Sequence, residues 1–187
     1  MDVASNLLID VIGGRVRIRI ATLVALLALL AGCSGGVEGS PVAAERWDPC
    51  SITPEAIAAT GLDPEYRDEG WGKAIEVPDW ARCEFMPRGS DAAYALSVLS
   101  SVDHTILEAR ANPGNLEGRD LEIDGRDAYE YKTEVGFAIR DCRIALDVAG
   151  GVVVFAALYQ TDDGVDPCEI VLRHVRDLLS AVPAAAK

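Results

Sequence analysis

Four cysteines, at positions 50, 83, 142 and 168, place the strongest limit on how this 187-residue chain can fold. They form neither a Cys-x-x-Cys pair nor a Cys/His cluster, so the spacing is unlike that of a zinc site. In a protein that is exported from the cytoplasm, an even number of such cysteines predicts two disulfides, with three possible pairings. The interpretation therefore depends on whether the chain carries an export signal.

The N-terminal segment has the three parts of a bacterial lipoprotein signal. Its basic region contains Arg15, Arg17 and Arg19. Residues 20–31 are then almost entirely apolar, and small residues precede Cys33. Such a segment is too short for a permanent membrane span and is typical of a cleaved signal. We expect cleavage before Cys33 and a diacylglycerol on its thiol; the alternative is a plain signal peptide that leaves Cys33 free.

The predicted organisation follows from this signal. It consists of a lipoprotein signal peptide (1–32), a flexible tether rich in Gly, Ser, Ala and Pro (33–46), one domain (47–182) and a tail (183–187). The aspartates at 2 and 10 are unusual ahead of a basic region, so we expect translation to start further in, near Val16. The expected location is the extracytoplasmic face of the plasma membrane, where the lipid would anchor the protein in the cell envelope.

The charge of the chain limits its partners. It has 17 basic and 30 acidic residues, a net charge of −13, and removal of residues 1–32 leaves 14 basic and 28 acidic residues, or −14. Nucleic acid and anionic lipid head groups would be repelled, so neither is an expected partner. Small cations, basic peptides and basic protein faces are compatible with this charge, but a solvated acidic surface is the simpler explanation and is favoured.

Alternation of apolar residues favours one cysteine pairing. Cys142 lies on the apolar face of a predicted strand, and Cys168 lies on the apolar face of the predicted last helix. Both thiols would face one core, so we pair Cys142 with Cys168. Cys50, just before the first predicted helix, is then left to pair with Cys83, which shares a strand face with Phe85.

Turn and cap residues divide the domain into elements. Asp124-Gly125 and Gly150-Gly151 are two-residue hairpin signals, and Thr53-Pro54 and Asp166-Pro167 are typical of helix starts. The predicted helices are 54–60, 103–111 and 167–181, and the predicted strands are 83–86, 93–100, 120–123, 126–133, 136–148 and 152–160. Residues 62–80 read as a loop or weak strand. The expected class is α+β, with a mostly antiparallel sheet of about five to six strands packed with N-terminal, middle and C-terminal helices.

The chain also resembles a known group of proteins. The lipoprotein signal, the Asp48-Pro49-Cys50 opening, the Cys83-Glu84-Phe85 strand and the late cysteines are similar to those of actinobacterial lipoproteins classed only as a domain of unknown function. This resemblance implies an actinobacterial cell envelope and a compact disulfide-linked domain, and it brings no catalytic residues. A more distant likeness in element order is to PsbP-like lipoprotein domains, which serve as binding or accessory modules.

Aromatic residues in the 62–80 loop are the candidate binding surface. Tyr66, Trp71 and Trp80 lie among glycines and prolines, where they would line a ligand groove or a partner surface. The alternative is that they pack against the first disulfide.

No residue set predicts catalysis, a bound metal or a cofactor. His104 and His174 are the only histidines, and we expect an exposed helix residue and a partly buried structural residue. One set of four acidic residues has the composition of a calcium loop: Asp162, Asp163, Asp166 and Glu169. Their spacing is unlike that of an EF-hand, so a solvated turn is favoured. A second set of acidic residues alternates along a predicted hairpin: Glu122, Asp124, Asp127 and Glu130. Paired acids of this kind would serve a cell-wall hydrolase, which is the alternative function. The leading expectation is a non-catalytic, lipid-anchored module that binds a ligand or an envelope protein.

Overall fold

The computed structural model describes residues 45–185, except Ser90, 135–139, Gln160 and 162–163, and of Arg140 only the backbone. The predicted signal peptide, Cys33 and nearly all of the tether lie outside these residues, as do Asp162 and Asp163. Among the described residues, no helix has the length and apolar character needed to cross a membrane.

The described residues form one seven-stranded sheet in which every neighbouring pair is antiparallel. The strands are β1 (Asp68–Glu69), β2 (Ala81–Phe85), β3 (Tyr94–Ser101), β4 (Leu116–Ile123), β5 (Arg126–Lys132), β6 (Arg140–Val148) and β7 (Gly151–Tyr159). Their order across the sheet is β1-β2-β3-β7-β6-β5-β4. The α+β class is therefore confirmed. The seventh strand is the two-residue β1, which lies in the region predicted as a loop or weak strand.

Three helices accompany the sheet: α1 (Pro54–Ala59), α2 (Ile106–Ala111) and α3 (Pro167–Leu178). Single 3-10 turns precede α1 at Pro49–Ser51 and follow α3 at Leu179–Ala181. Thr53 and Asp166 cap α1 and α3 as predicted. The predicted start of α2 at Asp103 is wrong, because Thr105 accepts from the Glu108 N–H and forms a capping box that starts the helix at Ile106.

Both predicted hairpin turns join antiparallel strands. Asp124 and Gly125 connect β4 to β5 with φ angles of 50° and 76°, the left-handed values that this turn requires. Gly150 and Gly151 lie where β6 turns into β7. An ideal Cβ on Gly151 would come within 1.9 Å of the Ser101 carbonyl oxygen, so only glycine fits beside the end of β3.

The two faces of the sheet are covered unequally. The first face carries most of the buried core, including Phe85, Leu96, Ile144 and Phe155, and α3 packs across β6 and β7 on this side. The second face carries a smaller cluster centred on Leu99, Tyr131, Ala145, Val152 and Val154, with Ile106 of α2 packed against it. Alternate residues of each strand point to opposite faces, so β3, β6 and β7 contribute to both clusters.

The two disulfides lie on the first face. Cys50 Sγ is bonded to Cys83 Sγ, and Cys142 Sγ is bonded to Cys168 Sγ. These are the two pairings that the facing residues predict. The first links the 3-10 turn before α1 to β2, and the second links β6 to the first turn of α3.

Candidate functional site

A cavity of about 330 Å³ opens on the second face of the sheet, and we call it the α2 cavity. Its lining comes from Trp80 just before β2, from residues 104–115 around α2, and from β5, β6 and β7. This volume is at the lower end of the roughly 300–1,000 Å³ found for small-molecule sites.

The floor of the α2 cavity is part of the sheet. Val152 and Val154 of β7 supply apolar surface, and Tyr131 and Arg143 are cross-strand partners on β5 and β6. Burial is the main cause that raises the pKa of the Tyr131 hydroxyl, and the nearby Arg143 guanidinium opposes this shift. The hydroxyl is therefore protonated at neutral pH and can donate a hydrogen bond.

A buried carboxylate holds the polar part of this floor in place. The Asp141 side chain is fully buried, and its oxygens accept from the Thr133 N–H (2.7 Å) and the Thr133 hydroxyl (2.5 Å). The Arg143 Nε–H donates to the same carboxylate at 2.8 Å. Because a buried charge without partners is costly, these bonds fix the positions of both Thr133 and Arg143 at the cavity.

An aromatic stack forms one wall. The imidazole of His104 lies on the indole of Trp80, with ring centroids 5.1 Å apart and an angle of 14° between the planes. His104 Nδ1 lies 3.1 Å from a Glu108 carboxylate oxygen, and Nε2 lies 4.0 Å from an Asp79 carboxylate oxygen. These contacts hold His104 between α2 and the segment before β2. They make it a wall residue with two partners. Its side chain keeps the predicted exposure, at 37%, but it precedes α2 and is not part of the helix.

The start of α2 forms part of a second wall. Within the capping box, the Thr105 N–H donates to the Glu108 carboxylate at 3.0 Å. This bond, followed by the contact with His104, lowers the pKa of Glu108, which therefore stays ionised to a lower pH than usual.

Two amides continue this wall past the end of α2. The Gly114 N–H donates to Asn112 Oδ1 at 2.9 Å, and Asn115 Nδ2 donates to the Ala109 carbonyl at 2.7 Å. Both asparagine side chains are thereby held at the cavity by the turn that ends α2.

The three aromatic residues predicted as a binding surface do not lie together. Trp80 lines the α2 cavity. Trp71 packs into the second-face cluster with its ring 5.6 Å from the Arg82 guanidinium carbon, and its buried Nε1 has no hydrogen-bond partner among the described residues. Tyr66 is 40% exposed near the β1–β2 edge, where burial and then the Glu84 and Asp68 carboxylates raise its pKa.

Among the carboxylates considered for hydrolysis, Glu122 and Asp127 are cross-strand partners, but Asp127 and Glu130 do not share a cleft. Asp127 and Glu130 lie on opposite faces of β5, since they are three residues apart on one strand. Asp127 is bonded to Arg110 at 2.6 Å. Glu130 is buried and receives two hydrogen bonds from Arg119, at 2.6 Å and 3.1 Å.

The other predicted candidates have structural partners. His174 is completely buried, more than predicted, and its Nε2 shares a 2.7 Å hydrogen bond with the Tyr94 hydroxyl. Asp166 caps α3 by accepting from the Cys168 N–H. The Glu130 carboxylate lies within 4.8 Å of Cys142 Sγ and Cys168 Sγ, but these sulfurs are joined to each other and are not thiolate ligands.

A second cavity, of about 470 Å³, lies where β5 ends and α3 begins. Among its charged lining residues, Lys132 and Glu117 are bonded to each other at 2.6 Å, Asp141 is bonded to Arg143 and Asp166 caps α3. Its lining contains no aromatic residue and adjoins the undescribed residues 162–163. The α2 cavity is therefore the better candidate, although it is smaller.

Sequence reasoning found Trp80 but missed most of the α2 cavity. Asn112 and Asn115 lie in a segment whose Asn-Pro-Gly sequence indicates only a helix stop, and Arg143 indicates only the polar face of a strand. A detectable signal was the Thr105-x-x-Glu108 capping-box pattern, which places the α2 start. Nothing local shows that this helix lies over β5 and β6.

These features define a small α+β domain with two disulfides and an aromatic-walled cavity on its second face. The chain belongs to the family described as "Protein of unknown function (DUF3558)", whose model matches residues 28–181. The predicted resemblance is confirmed to that extent, while actinobacterial origin and the lipoprotein signal stay predictions.

A solved structure gives a more distant likeness. The chain is similar to the solution structure of cyanobacterial PsbP (CyanoP) from Synechocystis sp. PCC 6803, with 15% identity, a TM-score of 0.37 and coverage of 80% of this chain and 97% of that one. No curated protein matches the chain.

Proposed function

We propose that this protein is a lipid-anchored module of the cell envelope whose domain binds a ligand, or a group presented by a partner, in the α2 cavity. The observation that carries the proposal is the cavity itself. Apolar surface from Trp80, Val152 and Val154 meets hydrogen-bonding groups that are already held in place, as at Arg143 and Asn112. Apolar lining with a few convergent polar groups is typical of small-molecule sites.

The anchor rests on the sequence that precedes the domain. Basic, apolar and small residues lead in that order to Cys33, and two disulfides fit an oxidising compartment. A tether of 14 residues (33–46), at roughly 3.4 Å each, would keep the domain within about 50 Å of the bilayer.

The first described residues of the chain contact the segment before β2 and the start of β7. Arg46 donates to the Pro78 carbonyl, two residues before Trp80. A small cavity of about 110 Å³ beside Glu45 and Trp47 shares Val152 with the α2 cavity.

The anchor is tested by mass spectrometry of unreduced protein from a membrane fraction. We expect a diacylglycerol-modified peptide that begins at Cys33. An unmodified Cys33, or a mature chain that retains residues before it, would contradict the anchor and leave the cavity proposal to stand on its own.

The cavity is tested by thermal shift of the purified full chain against a chemically diverse small-molecule panel. The variants are Trp80→Leu, which keeps apolar bulk but removes the aromatic wall, and Tyr66→Ala, a matched control outside the cavity. We expect at least one compound class to raise the Tm of the natural protein and of the Tyr66 variant but not of the Trp80 variant. Stabilisation that is independent of Trp80 would reject this cavity as the site.

A further inference from the structure

The charges around the α2 cavity limit the net charge of a ligand that could bind there. The guanidinium of Arg143 is already bonded to the buried Asp141 carboxylate, and Glu108 adds a negative charge at the wall. The whole chain carries a net charge of −13, so its field repels small anions. A ligand that depends on an anionic group would therefore gain little here.

The α2 cavity is lined by several hydrogen-bonding side chains, which include both donors and acceptors. Because Asn112 Oδ1 accepts from Gly114, the amide N–H₂ is the group that it offers a ligand; because Asn115 Nδ2 donates to Ala109, Asn115 offers its carbonyl. Thr105 and Thr133 add hydroxyl oxygens to the lining. A purely apolar ligand would remove these groups from water without replacing their hydrogen bonds, and each group left unpaired would weaken its binding.

A peptide strand is also disfavoured. Strand addition needs an unpaired sheet edge, and β5, β6 and β7 beneath the cavity are each paired on both sides. The sheet therefore offers a ligand in this cavity of about 330 Å³ its side chains and no free strand edge.

We propose, on the basis of the function proposed above, that the α2 cavity binds an uncharged, polyhydroxylated ring, the chemistry of a neutral saccharide unit. Each hydroxyl both donates and accepts, which matches the donor at Asn112 and the acceptor at Asn115. The C–H face of such a ring is apolar and would pack on the part of Trp80 that lines the cavity and is not covered by His104. The combination of planar amides with aromatic surface carries the proposal.

The test is an array of neutral and acidic glycans probed with the purified full chain. A zwitterionic detergent without a sugar head group is required, because a glycosidic detergent would compete for the site. The variants are Trp80→Leu and Asn112→Ala, with Tyr66→Ala as the control, and each variant is first compared with the natural protein by its melting temperature. Two variants of the α2 cavity are used so that the test is still decisive if one of them fails to fold.

We expect neutral glycans to bind the natural protein and the Tyr66 variant, and to bind each folded cavity variant about tenfold more weakly, which corresponds to about 1.4 kcal/mol. Binding of acidic glycans only, binding unaffected by both cavity variants, or no glycan binding would overturn the saccharide proposal. In the last case, a non-saccharide hit in the thermal-shift panel that depends on Trp80 would preserve the proposed function, and the absence of any such hit would reject both.

Discussion

At the scale of single residues, Asp141 organises the candidate site although it is completely buried. Its carboxylate accepts from the Thr133 N–H, the Thr133 hydroxyl and the Arg143 guanidinium. Charge-assisted bonds of this kind are stronger than neutral ones and keep a buried charge tolerable. Thr133 and Arg143 are consequently held in position before any ligand arrives, which lowers the entropic cost of binding one.

The buried His174 makes the stability of the domain depend on pH. Burial is the main cause that lowers its pKa to about 4, and the positive charge of Arg173 adds to the shift. The His174 imidazole of the unfolded chain, with a pKa near 6.5, is therefore protonated at a higher pH than the imidazole of the folded chain. This stabilisation is complete above pH 6.5 and is lost as pH falls toward 4. The loss is about 2.5 kcal/mol between pH 7 and pH 4.5.

Urea unfolding at these two pH values checks the prediction. The double variant His174→Leu/Tyr94→Phe removes the titrating group and its hydroxyl partner together, so its loss of stability between pH 7 and pH 4.5 should be smaller than that of the natural protein by about 2.5 kcal/mol. Tyr94→Phe alone keeps the buried imidazole and should keep most of the pH dependence. Identical pH profiles for the natural protein and the double variant would show that His174 does not control it.

At the scale of elements, the candidate site depends on a helix that is too short to be stable alone. α2 spans only Ile106–Ala111, and isolated helices of this length are not stable in water. Its capping box, the burial of Ile106 and the bond from Asn115 to the Ala109 carbonyl hold it against the sheet. The wall of the α2 cavity is therefore stabilised by tertiary contacts.

The β6–β7 hairpin offers a test of close packing beside this helix. Gly151→Ala would place a methyl group 1.9 Å from the Ser101 carbonyl oxygen, at the end of β3 that leads into α2. We expect a loss of about 2–3 kcal/mol, because neither backbone segment can move without breaking strand pairing. Gly125→Asn is the matched control, since nothing lies within 4 Å of the added atom and asparagine tolerates this turn, and its cost should stay below about 1 kcal/mol. Denaturant unfolding of both variants measures the difference, and equal costs would contradict the packing explanation.

At the scale of the whole molecule, the strand order places the helices on opposite faces. β7 lies between β3 and β6, so the chain leaves β3, crosses the second face through α2 and reaches β4 at the far edge. α3 follows β7 and returns across the first face, where Cys168 meets Cys142. The core on the first face is thus closed by a disulfide, while the second face stays open beside α2.

The two disulfides should contribute unequally. Their sequence separations are 33 and 26 residues, so the chain-entropy model gives both about 3.5 kcal/mol. Their positions differ, because Cys142–Cys168 fastens α3 over the main core and Cys50–Cys83 fastens only the short segment before α1. We expect the double variant Cys142→Ala/Cys168→Ala to lose more stability than Cys50→Ala/Cys83→Ala, as measured by thermal unfolding. Equal losses would show that loop entropy alone decides the contribution.

Local chemistry accounts for much of the fold that could be predicted. The hairpin at Asp124-Gly125 follows from a need for left-handed φ angles that few residues meet, and the caps at Thr53 and Asp166 follow from unpaired helix N–H groups. The pairing of Cys142 with Cys168 follows from strand and helix periodicity, because both residues lie on apolar stripes that must be buried against the same core.

The α2 cavity was decided only by the tertiary structure. It combines Trp80, the 104–115 segment and three strands, which are separated by up to about 70 residues of chain and meet because β7 is inserted between β3 and β6. Periodicity shows which side of a strand is apolar, but it contains no information about which helix crosses that side. The sequence by itself therefore determined the class, the hairpin turns, the caps of α1 and α3 and the disulfides. The long-range strand order determined where the cavity lies and which polar groups converge there.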